Sequence, residues 1–250
     1  MIIEYAFIFV NEIHIPFLYN GGRRIPNRKL VYSMTSKKEI MAYLKQEILS
    51  LELKPGAMIS ETALSERFQL SRTPIRDVLK QLSLEQYVDI YPKKGNLVSY
   101  IDLESVEQII YLRNVLEKEI MKSLAGNIPL KGLHELRDNL AQQQKCIEQA
   151  EGAEVFLQLD DQFHRTMFGL AGREFLWGVL QQFNVHYIRY RKLHMLKDEK
   201  LSAIQQEHQQ LLDYIVQGDT AGIDELLHHH LRADIDSKNL QEHFATYIKK

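Results

Sequence analysis

From Asp102 onward no segment of the chain reads as a strand, while apolar residues recur every three to four positions through six stretches of helical length. A stripe with that period lies along one face of a helix and must be buried against other helices. The stretches cover residues 104–125, 130–149, 153–171, 173–195, 200–217 and 220–246. They are separated by Gly126-Asn127-Ile128-Pro129, Glu151-Gly152, Ala171-Gly172 and Gly218-Asp219, residue types that stop a helix and turn the chain. Residues 102–250 are therefore expected to form an antiparallel all-helical bundle.

The segment before it is built differently. Ser36-Lys37-Lys38-Glu39 is a capping box, and Ile40, Tyr43, Leu44, Ile48 and Leu51 follow at helical spacing until Pro55-Gly56. Ser60 is placed to cap a short second helix through Phe68, with Leu64 and Phe68 inward. Ser71-Arg72-Thr73-Pro74 opens a third, whose inner positions are Ile75, Val78, Leu79 and Leu82. Tyr87–Tyr91 and Leu97–Tyr100 then flank Pro92-Lys93-Lys94-Gly95-Asn96, which reads as a short hairpin with a basic turn. Three helices and a basic hairpin describe a winged helix-turn-helix, so the chain is expected to be mainly α, with this domain at 35–101 and the helical domain at 102–250. Residues 1–34 have no helical period and are expected to be a poorly ordered arm.

Composition narrows the function. A single cysteine, Cys146, excludes an intrachain disulfide and a thiolate cluster, and suits a reducing cytoplasm. The longest apolar run, Met1–Val10, is interrupted by Glu4 and is far short of the roughly 20 residues that span a bilayer, so no membrane role is expected. The net charge of −2 divides into +2 over residues 1–34, +2 over 35–100 and −6 over 101–250. A mildly basic front on an acidic back suits a phosphate-contacting module joined to a domain with another task.

In a helix-turn-helix the start of the second helix of the motif enters the major groove. Arg72, Thr73 and Arg76 occupy that position, where arginine can bond a guanine edge and threonine a phosphate. Lys93, Lys94 and Gly95 at the hairpin tip would meet the neighbouring backbone or minor groove. The run Leu70-Ser71-Arg72-Thr73-Pro74-Ile75-Arg76-Asp77-Val78-Leu79, with Leu53-Lys54-Pro55-Gly56 and Ile59-Ser60-Glu61 upstream, resembles the GntR family of bacterial regulators over residues 36–100. The resemblance implies DNA-contacting roles for Arg72, Thr73, Arg76 and Gly95. Leu84-Glu85-Gln86-Tyr87 departs from it, because the family usually has a glycine before the wing.

In the back half, Asp160 and His164 stand four apart on one helix face, able to grip one cation. His208 falls within the apolar stripe Leu201, Ile204, Leu211 and Ile215, and His230 within Ile223, Leu226, Leu227 and Leu231. One carboxylate and three imidazoles from three helices can thus share one interior point, a set suited to zinc, nickel, manganese or iron. His228 and His229 fall on the outer face. His186, on an apolar side with Val179, Phe183 and Tyr190, is placed to line a pocket.

The spacing Asp160-x-x-Phe163-His164, Glu207-His208 and His230 resembles the effector domain (FCD type) of the FadR branch of that family, over residues 104–240 and in its six-helix, VanR-like form. The resemblance implies one divalent ion per chain, zinc first, on Asp160, His164, His208 and His230, with a small carboxylic acid completing its coordination. Arg113, in Leu112-Arg113-Asn114-Val115-Leu116-Glu117, matches the family's arginine that faces the acid. Its alternative is an intrahelical pair with Glu117. The expected protein is a homodimeric repressor on inverted operator half-sites and not an enzyme. Two alternatives stay open, a purely structural metal and a metal-dependent enzyme, although no HExxH motif occurs.

Overall fold

The computed structural model describes residues 4–10, 13–20, 23–25, 36–150, 152–194, 198–232 and 243–249. The chain divides into two compact units, Met1–Ile101 with Thr246–Lys250, and Asp102–Ala245.

In the first unit, α1 (Lys37–Leu49) opens with the capping box, Ser36 accepting from the Glu39 amide and the Glu39 side chain accepting from the Ser36 amide. Strand β4 (Met58–Ile59) leads into α2 (Glu61–Phe68), capped by Ser60, and α3 (Arg72–Leu84) follows. Ile40, Leu44, Ile48, Phe68, Ile75, Leu79 and Leu82 close the core between these helices. Arg67 of α2 fixes α1 through a bidentate pair with Glu47 at 2.6 and 2.9 Å and a bond to the Tyr43 hydroxyl. The wing is β5 (Val88–Tyr91) and β6 (Gly95–Val98), and β4 adds a third strand in the order β4-β6-β5. That strand is only two residues long, too short to leave an alternation in the sequence. Gly56 sits behind it at φ +79°, where a Cβ would lie 2.7 Å from the Tyr100 hydroxyl, so glycine is required there for conformation and for space.

Gln86 takes the place of the expected glycine and adopts φ 64°, the left-handed region. The wing therefore starts with glycine's conformation but without glycine, and Ser99 Oγ holds the turn by donating to the Gln86 carbonyl at 2.6 Å.

Before α1 the structure departs from the expected arm. Strands β1 (Glu4–Val10), β2 (Ile13–Asn20) and β3 (Arg23–Ile25) form an antiparallel meander in which Phe7 pairs with Pro16 and Tyr19 with Arg24. The strands are rich in Ile, Phe and Tyr, residues that favour a pleated strand. A search for helical period alone misses that pattern.

The second unit contains seven helices among the described residues: α4 (Leu103–Leu124), α5 (Leu130–Glu148), α6 (Ala153–Leu170), α7 (Glu174–Phe183), α8 (Val185–His194), α9 (Asp198–Gln217) and α10 (Thr220–Arg232). Residues 173–195 were expected to form one helix, making six. Asn184 breaks that stretch, its side chain donating to Gln181 Oε1 at 3.1 Å and its carbonyl receiving the Ile188 amide at 2.8 Å. The break re-aims α8, whose Tyr187, Tyr190 and Arg191 are all buried. The expected continuation of the last helix over 233–242 lies outside the described residues. No described helix is long and apolar enough to cross a membrane.

A non-glycine residue in the left-handed region costs about 1–2 kcal/mol. Part of that gain on Gln86→Gly is offset by about 0.5–1 kcal/mol of extra chain entropy in the unfolded state. Gln86→Gly should leave the first unit as stable or up to about 1 kcal/mol more stable in urea unfolding. A clear loss of stability would show that Gln86 is held by contacts stronger than its backbone strain.

Candidate functional site

Asp160 and His164 lie one turn apart on α6, His208 on α9 and His230 on α10, and all four are buried. One potential ligand atom from each lies within 4.8 Å of the others. The Nε2 atoms of His164 and His230 are 3.4 Å apart, His208 Nε2 is 3.6 Å from Asp160 Oδ1, and His164 Nε2 is 3.9 Å from Asp160 Oδ2. The four candidate ligands are thus brought together. Exposed His229 lies outside the set, its Nε2 3.4 Å from Glu207 Oε1.

What lies behind each ring fixes what its front can do. His208 Nδ1 meets Gln143 Oε1 at 2.9 Å, Gln143 Nε2 donates to Asn139 Oδ1 at 2.7 Å, and Asn139 Nδ2 donates to the Leu159 carbonyl at 3.0 Å. The chain ends on a backbone acceptor, so both amide orientations are determined, and the His208 proton must sit on Nδ1. His164 Nδ1 faces Glu117 Oε2 at 2.8 Å, and His230 Nδ1 faces Glu207 Oε2 at 2.7 Å. His208 therefore presents an Nε2 lone pair at the front, and the Nε2 atoms of His164 and His230 face the same point. Burial pushes His208 well below the ordinary imidazole range, with His230 adding to the effect and Asp160 opposing it. Its Nε2 has no hydrogen-bond partner among the described residues.

The Nε2 atoms of His164 and His230 face one another at 3.4 Å. Nitrogens bound to a shared tetrahedral ion with bonds of about 2.0–2.1 Å are about 3.4 Å apart. The donor set and its spacing fit a divalent transition metal.

Beside this cluster lies a group of buried charges. Arg113 Nε donates to Glu117 Oε1, and its Nη1 donates to the Tyr187 hydroxyl. Arg191 donates from Nη2 to Asp160 Oδ2 and from Nη1 to Asp161 Oδ1, the latter at 2.7 Å. Both guanidiniums lie over the Tyr187 ring, 5.3 and 5.4 Å from its centroid. Burial alone would raise the Glu117 carboxyl, yet Arg113 and His164 hold it down to about 2. Burial also opposes ionisation of Asp160, but Arg191 and the neighbouring imidazoles keep it below the ordinary carboxylate range. Arg113 thus makes the intrahelical pair and still lines a small cavity of about 10 Å³ with Asp160, Tyr187, Arg191, Ile204, His230 and Leu231. Its remaining nitrogen, Nη2, is buried with no hydrogen-bond partner among the described residues.

His186 is elsewhere. Its Nδ1 accepts from the Asp102 amide at 3.2 Å, and it lines neither this cavity nor its neighbour. The stretch 173–195 was read as one straight helix, and the break at Asn184 turns Tyr187 and Arg191 to the site instead. The sequence reading passed over these two residues, and over Asn139, Gln143 and Glu117 as supports. Asn139 and Gln143 did leave a signal, two amides within the apolar stripe Leu136, Leu140 and Cys146.

In the first unit Arg72 and Thr73 are exposed at the start of α3, and Arg76 is exposed one turn on, its Nε donating to Glu61 Oε2 at 2.8 Å. Lys93, Lys94 and Gly95 are exposed at the tip of the wing, with Lys93 at φ 66° and Gly95 at φ 107°.

Residues 36–98 match the family model "Bacterial regulatory proteins, gntR family", and residues 108–233 match the FCD domain. An uncharacterized HTH-type transcriptional regulator of Streptomyces ambofaciens is 32% identical over 203 residues, spanning 81% of this chain and 84% of that one. The chain belongs to the GntR family of bacterial transcription regulators. Another relative, the HTH-type transcriptional repressor RspR of Escherichia coli, is 24% identical over 195 residues, 78% of this chain and 85% of its own. Among solved structures, E. coli McbR/YncC superposes with a TM-score of 0.65 at 20% identity, covering 84% of this chain and all of that one, which supports the shared fold. This GntR protein is a DNA-binding regulator with an FCD domain and not an enzyme, so the metalloenzyme alternative falls away.

Removing one partner of a buried ion pair costs about 3–5 kcal/mol, because the other charge is left uncompensated. Glu117→Ala should destabilise the helical unit by about that amount in urea unfolding. The double variant Arg113→Met, Glu117→Leu should recover most of the loss. Additive losses in the double variant would mean that the two side chains stabilise the fold independently.

Proposed function

We propose that this GntR regulator is a cytoplasmic homodimeric repressor whose hold on an operator of two inverted half-sites is controlled by a small carboxylic acid, bound beside a divalent ion in the FCD domain. Asp160, His164, His208 and His230 would hold the ion, with zinc the first candidate. The observation that carries this reading is the convergence of three imidazole Nε2 atoms and one carboxylate beside a cavity lined by a buried arginine whose Nη2 has no hydrogen-bond partner among the described residues. When bound, the ion supplies positive charge and open coordination positions for an acid's oxygens. Arg113 Nη2 would take a carboxylate oxygen, and Tyr187 would hold the guanidinium in place.

Arg113 is paired with Glu117 and Arg191 with Asp160, all four buried beside the cluster, and a divalent ion would add positive charge next to them. A metal with no sensing role would leave the Arg113 donor unexplained, since a buried unpaired donor costs about 1–3 kcal/mol. The acid acts on DNA binding by favouring one arrangement of the dimer over another. Arg72, Thr73 and Arg76 would read the major groove, with Lys93, Lys94 and Gly95 on the flanking backbone.

Two measurements test the halves separately. Arg72→Ala and Arg76→Ala should each weaken operator binding by about 1–3 kcal/mol in fluorescence anisotropy, with the circular dichroism spectrum unchanged; unaltered affinity in both would remove the DNA assignment. His208→Ala should lose bound metal by elemental analysis and lose release of operator DNA by carboxylates. Full metal occupancy in that variant would show that the four side chains are not the site.

A further inference from the structure

We propose that Asn139 and Gln143 of α5 are positioning residues for the metal site: their amide relay keeps the His208 proton at the back of its ring, so that Nε2 meets an arriving ion as a free lone pair. The proposal rests on the reading of Asp160, His164, His208 and His230 as the ligand set, and adds to it two residues that touch no ion.

Two acceptors compete for the one proton of neutral His208. Gln143 Oε1 lies 2.9 Å from Nδ1 at the back, and Asp160 Oδ1 lies 3.6 Å from Nε2 at the front. A proton on Nε2 would point at Asp160, cover the lone pair and occupy a carboxylate oxygen of the same ligand set. A proton on Nδ1 leaves both atoms free for a cation. Which nitrogen carries it is set by the hydrogen bond that the other ring edge makes. The ring plane itself is held by Phe163, stacked at 4.4 Å between centroids.

The three rings are not backed alike. Glu117 Oε2 and Glu207 Oε2 stand 2.8 and 2.7 Å from Nδ1 of His164 and His230. An ionised carboxylate only accepts, whichever way it is turned, whereas a glutamine amide accepts at one end and donates at the other. Gln143 therefore needs a reference outside itself, and Asn139, one turn earlier on α5, supplies it. Gln143 Nε2 donates to Asn139 Oδ1 at 2.7 Å, and Asn139 Nδ2 donates to the Leu159 carbonyl at 3.0 Å. That carbonyl has no proton to give, so a turned Asn139 would set oxygen against oxygen. Asn139, Gln143 and His208 are all buried, which leaves water little access as a substitute partner. Leu159 immediately precedes Asp160, so the relay ties one ligand's ring on α9 to the backbone beside another ligand on α6.

The test reads the tautomer directly, by nitrogen-15 NMR of full-length protein labelled at histidine, without metal and after addition of zinc. Zinc affinity is measured by competition with a chelator, and circular dichroism checks the fold. In the metal-free wild type His208 should carry its proton on Nδ1; a proton on Nε2 there overturns the proposal without recourse to any variant. Asn139→Leu does not touch His208, yet it should free Gln143 to turn, move the His208 proton to Nε2 and weaken zinc binding about 10- to 100-fold. Adding Gln143→Glu to that variant replaces an amide that turns with a group that only accepts, backing His208 as Glu117 backs His164. It should return the proton to Nδ1 and recover most of the zinc affinity. A packing role alone predicts the reverse, because a second substitution that buries a charge would add to the damage. Retention of the Nδ1 proton and of wild-type zinc affinity in Asn139→Leu overturns the relay and leaves the metal site standing. Zinc that does not bind the wild type, or binds it without perturbing the His208 signals, removes the metal-site reading and the positioning role with it.

Discussion

Three imidazole rings, each backed by a polar side chain, govern the arrangement of the helical unit. Gln143 and Glu207 face Nδ1 of His208 and His230 at hydrogen-bond distance, and Glu117 Oε2 lies 2.8 Å from His164 Nδ1, and the consequence is that three Nε2 atoms converge. The acceptors come from α4, α5 and α9, and the rings from α6, α9 and α10. One electrostatic requirement therefore ties five of the seven helices to a common point. Without a cation the front of the site is unfavourable, since His208 Nε2 is buried without a partner and the other two Nε2 atoms face each other at 3.4 Å. A bound cation would give these atoms a common partner, so metal affinity and stability of this unit are linked.

The ionic residues beside the cluster extend the same logic. Arg113 with Glu117, and Arg191 with Asp160, are internally balanced pairs in a site that excludes most water. Each carboxylate does two tasks: Glu117 holds an arginine and an imidazole, and Asp160 holds an arginine and faces the cluster. A cation at the cluster competes with Arg191 for the charge of Asp160, which makes the arginine side of the cavity more receptive to an anion. On the proposed reading, metal and acid would favour one another through these shared carboxylates.

Much of this was legible in the sequence because it follows helical period. Asp160 and His164 at a spacing of four, and His208 and His230 within apolar stripes, had to face inward, and they meet. The three helices and wing of the first unit, with the Ser36 capping box, were equally readable from caps and turn residues. The misses have physical causes. The helix breaks at Asn184 with neither glycine nor proline to announce it, so Tyr187 and Arg191 were hidden and His186 was given their place. A two-residue strand such as β4 carries no period at all. The meander over residues 4–25 carries a strand signal in a region judged only for helix.

His186 has a structural task within the helical unit. Helix α4 starts at Leu103, and Arg113 lies ten residues into it, about 15 Å along the axis. His186, one residue before Tyr187, accepts the backbone amide of Asp102, the residue that caps α4 through bonds to the Glu104 and Ser105 amides. Helix α8 therefore holds two walls of the cavity and the N-cap residue of α4 at once. The side chains of Arg113, Tyr187 and Arg191 around the cavity are thus tied to the start of α4 both along α4 itself and through His186.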